Sequence, residues 1–95
     1  MNDFNSNSEL KNAIKIAVFA YWDKANEFYN TVYPYPIITF KTKGKCAGFA
    51  YYSENRLDFN LVLASENKAD FLKTVTAHEI SHLFDFFIYK KTGHG

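Results

Sequence analysis

The chain has 95 residues, of which 47% are hydrophobic, with one cysteine and a formal net charge of +1. A chain of this length forms a single hydrophobic core and excludes a second domain of ordinary size. The near-neutral charge excludes a strong general attraction for nucleic acid, and one cysteine excludes an internal disulfide framework.

Nothing in the sequence indicates export or a membrane span. The first residues, MNDFNSNS, are polar and acidic, unlike a secretory signal peptide. The longest apolar run, Ile16 to Trp22, is far shorter than the about 20 residues that cross a bilayer. A lone cysteine suits a reducing compartment. We therefore expect a cytoplasmic protein with no membrane partner.

The first predicted element is a long amphipathic helix. Ser6 and Glu9 form an S-x-x-E capping box, which would start the helix by pairing free backbone donors. Apolar residues then recur at helical spacing from Leu10 to Val32. The YPYP segment, Tyr33 to Pro36, ends the helix, because proline lacks an amide hydrogen and restricts the residue before it.

Three strands are predicted next: Ile37 to Thr42, Cys46 to Tyr52 and Arg56 to Leu63. Lys43 to Lys45 and Ser53 to Asn55 form the turns between them. Consecutive strands joined in this way form an antiparallel meander. The order of helix, three-stranded antiparallel meander and helix predicts a small α+β domain.

A second long helix, capped by Ser65 or Asn67, carries the sequence HEISH. Residues four apart share a helix face at about 5–6 Å, so His78 and His82 can bind one metal ion. Glu79 lies beside the first ligand, where it can take a proton from a water that the metal activates. This H-E-x-x-H spacing is typical of zinc proteases. The alternative, two hydrogen-bonded histidines facing the core, would leave several polar groups in need of partners.

A catalytic zinc site has three protein ligands and one open position. Three residues are candidates for its third ligand. His94, twelve residues after His82, is the leading candidate. Asp85, seven residues after His78 on the same face, could bind the metal or act as a nearby carboxylate. Cys46 could complete a different kind of zinc hydrolase from upstream.

The reach of His94 depends on where this helix ends. The basic residues near its end and Gly93 favour a helix that reaches about Lys91. From there the chain would hardly bring His94 back to the metal. We therefore predict that the helix ends early, between Phe87 and Tyr89, and that the glycines on either side of His94 let the backbone pass close to the site.

Three stretches resemble the SprT-like metallopeptidases, whose eukaryotic relatives include Spartan. KGKCAGFAYY, Lys43 to Tyr52, is similar to the family's first hairpin. NRLDFNLVL, Asn55 to Leu63, is similar to its second strand, with Asn60 at the position of the family's asparagine. TAHEISH and the later GHG are similar to its metal-binding helix and third-ligand motif.

The resemblance implies a minimal zincin-like domain with zinc as its cofactor, His78, His82 and His94 as ligands and Glu79 as general base. It also implies a protein or peptide substrate and, in Spartan-type relatives, cleavage of proteins crosslinked to DNA. Residues 1–95 would be a single SprT-like metallopeptidase domain, either minimal or cut short at its C-terminus.

Other interpretations stay open. A metal-stapled module could bind protein or DNA without hydrolysis, although a structural site has no need of the base Glu79. Lys41, Lys43 and Lys45 predict at most weak, non-specific DNA association. The high aromatic content, 19%, favours a ring-filled core over a stacking platform for bases. The candidates for stabilising a developing oxyanion are Tyr51, Tyr52 and Tyr89.

Overall fold

The computed structural model describes the backbone of residues 3–91 and the side chains of residues 7–90. Its longest element is helix α1 (Asp3–Tyr29), which buries one stripe of apolar residues: Leu10, Ile14, Val18 and Trp22. The predicted capping box is wrong, because the helix already begins at Asp3 and Ser6 lies inside it.

Helix α1 ends before the prolines, and Val32 lies outside it with 94% of its surface exposed. The side chain of Asn26 ends the helix by binding both the amide and the carbonyl of Tyr33, each at 3.0 Å. Asn30 adopts a left-handed φ of 55°, which turns the chain back. The indole Nε1 of Trp22 donates to the same carbonyl at 3.1 Å, so this turn is fixed to the core.

The sheet contains β1 (Ile37–Thr39), β2 (Gly48–Tyr51) and β3 (Arg56–Phe59) in the order β1-β3-β2. Strand β1 runs parallel to β3, whereas β2 runs antiparallel to it. The α+β class is confirmed, but the predicted antiparallel meander is wrong, because the sheet is mixed. The segment between β1 and β2 crosses from one side of β3 to the other.

Asp58 on β3 explains this crossing. Its carboxylate accepts hydrogen bonds from the amides of Lys41 at 2.9 Å and Thr42 at 2.6 Å, and from the hydroxyls of Thr39 and Thr42. These bonds end β1 at Thr39, three residues before its predicted end, and hold the crossing segment over the central strand. Because Asp58 is only 1% exposed, the charge is compensated by donors rather than by water.

The predicted strand from Arg56 to Leu63 is wrong in its second half. It ends at Phe59, and Asn60 caps helix α2 (Leu61–Glu66), its Oδ1 accepting from the amides of Val62 and Leu63 at 3.0 and 3.2 Å. An apolar run such as LVL suits either a strand or a helix by pattern alone. The capping asparagine decides in favour of the helix.

The second helical region begins after Asn67, whose side chain makes no capping hydrogen bond. It runs through the short helix α3 (Lys68–Asp70), a π-helical turn (Phe71–Val75) and helix α4 (Thr76–Lys91). Ser65, the other predicted cap, lies inside α2.

The core lies between the two long helices and the inner face of the sheet. Trp22 of α1 meets Phe84 of α4 edge to face, with ring centroids 4.7 Å apart, and Leu57 and Phe59 close the sheet side. Phe49 and Tyr51 are exposed on the outer face of β2, so only some of the aromatic side chains lie in the core. Within the described residues, no helix combines the length and apolar character needed to cross a bilayer.

The predicted early end of α4 is also wrong, because the helix continues to Lys91. Aromatic packing keeps its last turns in place: the Phe87 ring lies 4.7 Å from that of Tyr33 and 6.3 Å from that of Trp22. The Lys90 ammonium lies 5.6 Å from the centroid of Phe86. Gly93, His94 and Gly95 lie outside the described residues.

Candidate metal centre

His78 and His82 lie one turn apart on α4 and point at a common position. Their Nε2 atoms are 3.0 Å apart, and their rings are nearly perpendicular, at 85°. Two nitrogen ligands about 2.0–2.1 Å from a tetrahedral zinc would lie roughly 3.3–3.4 Å apart. Both side chains are exposed, so a small rotation brings them to this spacing. The pair fits one zinc ion.

Glu79, between the two histidines in sequence, lies in a different environment. It is 8% exposed and faces strand β2 at Gly48, where an added Cβ would lie 3.5 Å from the Glu79 Cγ. Burial raises the pKa of the Glu79 carboxyl above its ordinary value, and the charges of His78 and His82 oppose part of this rise. The result is a carboxylate that binds a proton more readily than an exposed glutamate does.

Gly48 allows a close contact between β2 and β3 beside Glu79. A Cβ there would lie 2.8 Å from the backbone oxygen of Asp58 and 3.2 Å from the Phe59 ring. Because real contacts are not that short, only glycine lets β2 lie this near β3.

An open pocket of about 250 Å³ adjoins the candidate centre. Its walls come from Ala47, just before β2, from Thr74 and Val75 of the π-helical turn, and from His78 and Glu79 of α4. The pocket gives a ligand access to the carboxylate of Glu79 from solvent.

Asn60 holds one wall of this pocket. Its backbone amide donates to the Ala47 carbonyl at 2.9 Å, and its side-chain Nδ2 donates to the carbonyls of Cys46 at 2.9 Å and Gly44 at 3.1 Å. The side chain is 1% exposed, so these bonds are shielded from water. The sequence marked Asn60 only as a family position. Its place after a strand and before an apolar run is a capping signal, from which its role at the start of a helix could have been predicted.

Among the described side chains, no third candidate ligand joins the histidine pair. Within residues 7–90, whose side chains the structure describes, no group of three or more His, Cys, Asp or Glu side chains is placed to hold a metal ion. Asp85 and Cys46 are both exposed, and neither joins the histidine pair in such a group. His94 lies outside the described residues and stays a prediction.

The tyrosines proposed for an oxyanion have other surroundings. Because side chains alternate along a strand and Gly48 faces Glu79, Tyr51 lies on the opposite face of the sheet. Its ring lies 4.0 Å from the Arg56 guanidinium. Tyr52 stacks on Phe86, with centroids 5.0 Å apart. Tyr89 is 58% exposed on the last turns of α4.

These features define a small α+β domain in which a C-terminal helix presents two histidines beside an edge strand. The SprT-like family model matches residues 18–95, and the chain belongs to this family.

Curated relatives agree with this assignment. The chain is 42% identical over 71 residues to Protein SprT of Shewanella oneidensis, which covers 75% of this chain and 46% of the relative. It is 41% identical over 70 residues to Protein SprT of Pseudomonas putida strain GB-1, covering 74% and 43%. Protein SprT of Glaesserella parasuis serovar 5 is 35% identical over 71 residues, covering 75% and 44%. The matched part spans less than half of these relatives' length. No solved structure matches the chain.

Proposed function

We propose that the chain is a zinc-dependent metallopeptidase that hydrolyses peptide bonds in protein or peptide substrates. One observation carries the proposal. The Nε2 atoms of His78 and His82 converge to 3.0 Å on one helix turn, and the carboxylate of Glu79 is buried beside them at the edge of an open pocket.

His78 and His82 would hold the zinc through their Nε2 atoms, and His94 would be the third ligand. Imidazole nitrogen is a preferred zinc donor, so the chemistry of this set suits the ion. When bound, zinc supplies Lewis-acid polarisation of the scissile carbonyl and lowers the pKa of water to near neutrality.

Glu79 acts as the general base. Its carboxylate accepts a proton from the attacking water and then transfers it to the leaving amine. The burial that raises its pKa helps the first step, because the carboxylate takes up the proton of the water more readily.

The free edge of β2 offers a place for an extended substrate. In the order β1-β3-β2, strand β2 pairs on one side only among the described residues. A peptide that adds there as a fourth strand gains main-chain hydrogen bonds. Because Gly48 of β2 lies against Glu79, such a peptide would bring a backbone carbonyl to the histidine pair.

Weak, non-specific DNA association is a second property that we propose. Lys41, Lys43 and Lys45 are exposed in the segment that leads to β2, where Phe49 and Tyr51 are exposed as well. Arg56 adds little, because it already pairs with Glu54 at 2.8 Å. We place the protein in the cytoplasm, where its exposed Cys46 would stay reduced.

Turnover of an unfolded protein by the zinc-loaded chain tests the proposal. Glu79→Gln keeps size and polarity but accepts no proton, so the rate should fall about 10²–10⁴-fold. Glu66→Gln makes the same change at an exposed position on α2 and should leave the rate unchanged. Equal rates for wild type and Glu79→Gln would refute the base. No cleavage by wild type would favour the alternative, a metal-stapled binding module.

A further inference from the structure

We infer that the pocket beside Glu79 is a specificity subsite that receives one small, uncharged, apolar side chain next to the scissile bond. The inference rests on the proposed function and adds a substrate preference to it. The residues that set this preference are Ala47, Thr74 and Val75.

Position is the first argument. The pocket shares His78 and Glu79 with the candidate metal centre, so whatever fills it lies beside the reacting carbonyl. An extended peptide on the edge of β2 projects alternate side chains towards α4. Since Ala47 immediately precedes β2, one of those side chains meets the pocket.

Size and chemistry are the second argument. The pocket's 250 Å³ lies below the about 300–1,000 Å³ of sites for drug-sized ligands, so it suits a single side chain. Ala47 and Val75 supply the apolar part of its walls, beside Thr74, His78 and Glu79. An acidic side chain would face the carboxylate of Glu79, with no lysine or arginine among the residues lining this pocket. A basic one would pair with Glu79 and occupy the group that must accept the proton.

Both walls of the pocket are held in place by the fold. Asn60 fixes the Ala47 wall through three hydrogen bonds of 2.9–3.1 Å to the carbonyls of Gly44, Cys46 and Ala47. The opposite wall is the π-helical turn Phe71–Val75, anchored by the fully packed ring of Phe71, which is 3% exposed. Such turns occur mostly as isolated insertions in helices, frequently at functional sites. This one ends immediately before the helix of the metal centre.

Cleavage of a peptide library by the zinc-loaded chain, with the cleaved bonds identified by mass spectrometry, tests the inference. Wild type should favour Ala, Val or Leu over Asp and Lys at one position beside the scissile bond by about tenfold or more. Ala47→Leu fills the pocket and should shift the preference to Gly and Ala. Val75→Ala enlarges it and should shift the preference to Met and Phe. Ala20→Leu, on an exposed position of α1, should shift nothing.

A second measurement keeps the test independent of turnover and of how well Ala47→Leu folds. Peptides carrying Leu or Asp at that position are titrated into zinc-free wild-type protein, which keeps the carboxylate of Glu79, and backbone amide resonances are followed by NMR. The Leu peptide should move the resonances of Ala47, Thr74 and Val75, and the Asp peptide should move them much less.

Reciprocal shifts in the two pocket variants support the inference. Unchanged preference in folded Val75→Ala, or equal NMR shifts with both peptides, overturns the subsite while leaving the metallopeptidase proposal standing. A wild type that cleaves no peptide overturns both.

Discussion

Neighbouring residues on one turn of α4 differ in their exposure to solvent. His78 and His82 are exposed, whereas Glu79 between them is 8% exposed. A metal ligand must be reachable by the ion, and a general base works best where its proton affinity is raised and bulk water is excluded. The alternation on a single turn therefore suits the roles that we propose for the three side chains.

Asn60 links the fold to the site, and its removal should be costly. It caps α2 and binds the carbonyls of Gly44 and Cys46. Asn60→Ala should lower the free energy of unfolding by at least about 1–2 kcal/mol, because it removes a cap and unpairs buried carbonyls. Urea titration measures this. Asn67→Ala is the control, since Asn67 makes no side-chain capping bond and should change stability by less than about 0.5 kcal/mol. Equal effects would contradict the account.

Asp58 predicts a pH dependence of stability. Burial alone would raise its pKa, but the hydrogen bonds that Thr39 and Thr42 donate outweigh burial, so the pKa lies below its ordinary value of about 3.9. The unfolded chain then binds the proton more readily than the folded one. The stabilisation is complete above the ordinary pKa and is lost as the pH falls through the lower, folded pKa.

Urea titrations between neutral pH and pH 2 would detect this contribution. Asp58→Asn should reduce stability most at neutral pH, and its difference from wild type should shrink as the acid removes the wild-type charge. The exposed aspartate variant Asp85→Asn should follow the wild-type curve. A constant difference between Asp58→Asn and wild type at every pH would show that the charge plays no part.

At the scale of elements, local patterns predicted the helices better than the strand pairing. The spacing of Leu10, Ile14 and Val18 is visible in the sequence, and it identified α1. The mixed sheet depends on hydrogen bonds between Asp58 and residues of the crossing segment, sixteen or more positions away. Contacts at that distance in sequence leave no periodic pattern, so they could not be predicted.

The end of α4 shows the opposite error. Local signals at the basic end of the helix pointed to Lys91, and the structure agrees with them. The prediction of an earlier end came from requiring His94 to reach the metal. Packing of Phe87 against Tyr33 and Trp22 favours the longer helix, and this contact could not be foreseen from spacing. The placement of the histidine pair and Glu79 was predictable because all three lie on one regular helix, and their roles stay a prediction.

The close contact between β2 and β3 makes Gly48 sensitive to substitution. Gly48→Ala should cost about 1–3 kcal/mol, since its Cβ would lie 2.8 Å from the Asp58 oxygen. The larger Gly48→Asn should cost more. Gly44 is the control: it has a φ of +80° and open space around it, so Gly44→Asn should be tolerated better than Gly44→Ala. Thermal unfolding of the four variants gives the ranking. If Gly48→Asn is no worse than Gly48→Ala, the close contact is not what constrains this position.

For the molecule as a whole, the core is formed without the candidate metal centre. Trp22, Phe59 and Phe84 pack between the helices and the sheet, while both histidines are exposed. After a chelator removes the metal, the circular dichroism spectrum should therefore still be that of a folded protein. The metal-free protein should only have a lower melting temperature, and it should rebind zinc. Unfolding on chelation would instead indicate a structural zinc, as in small metal-stapled domains.

The central claim is that His78 and His82 hold a zinc ion, and metal analysis of the purified protein tests it most directly. Wild type should carry about one zinc per chain, and His78→Ala and His82→Ala should each lose it, because either change leaves a single imidazole on the helix. His94→Ala should weaken binding less, since the helical pair survives. Full zinc occupancy in both helix variants, or none in a wild type dialysed against zinc, would contradict the account.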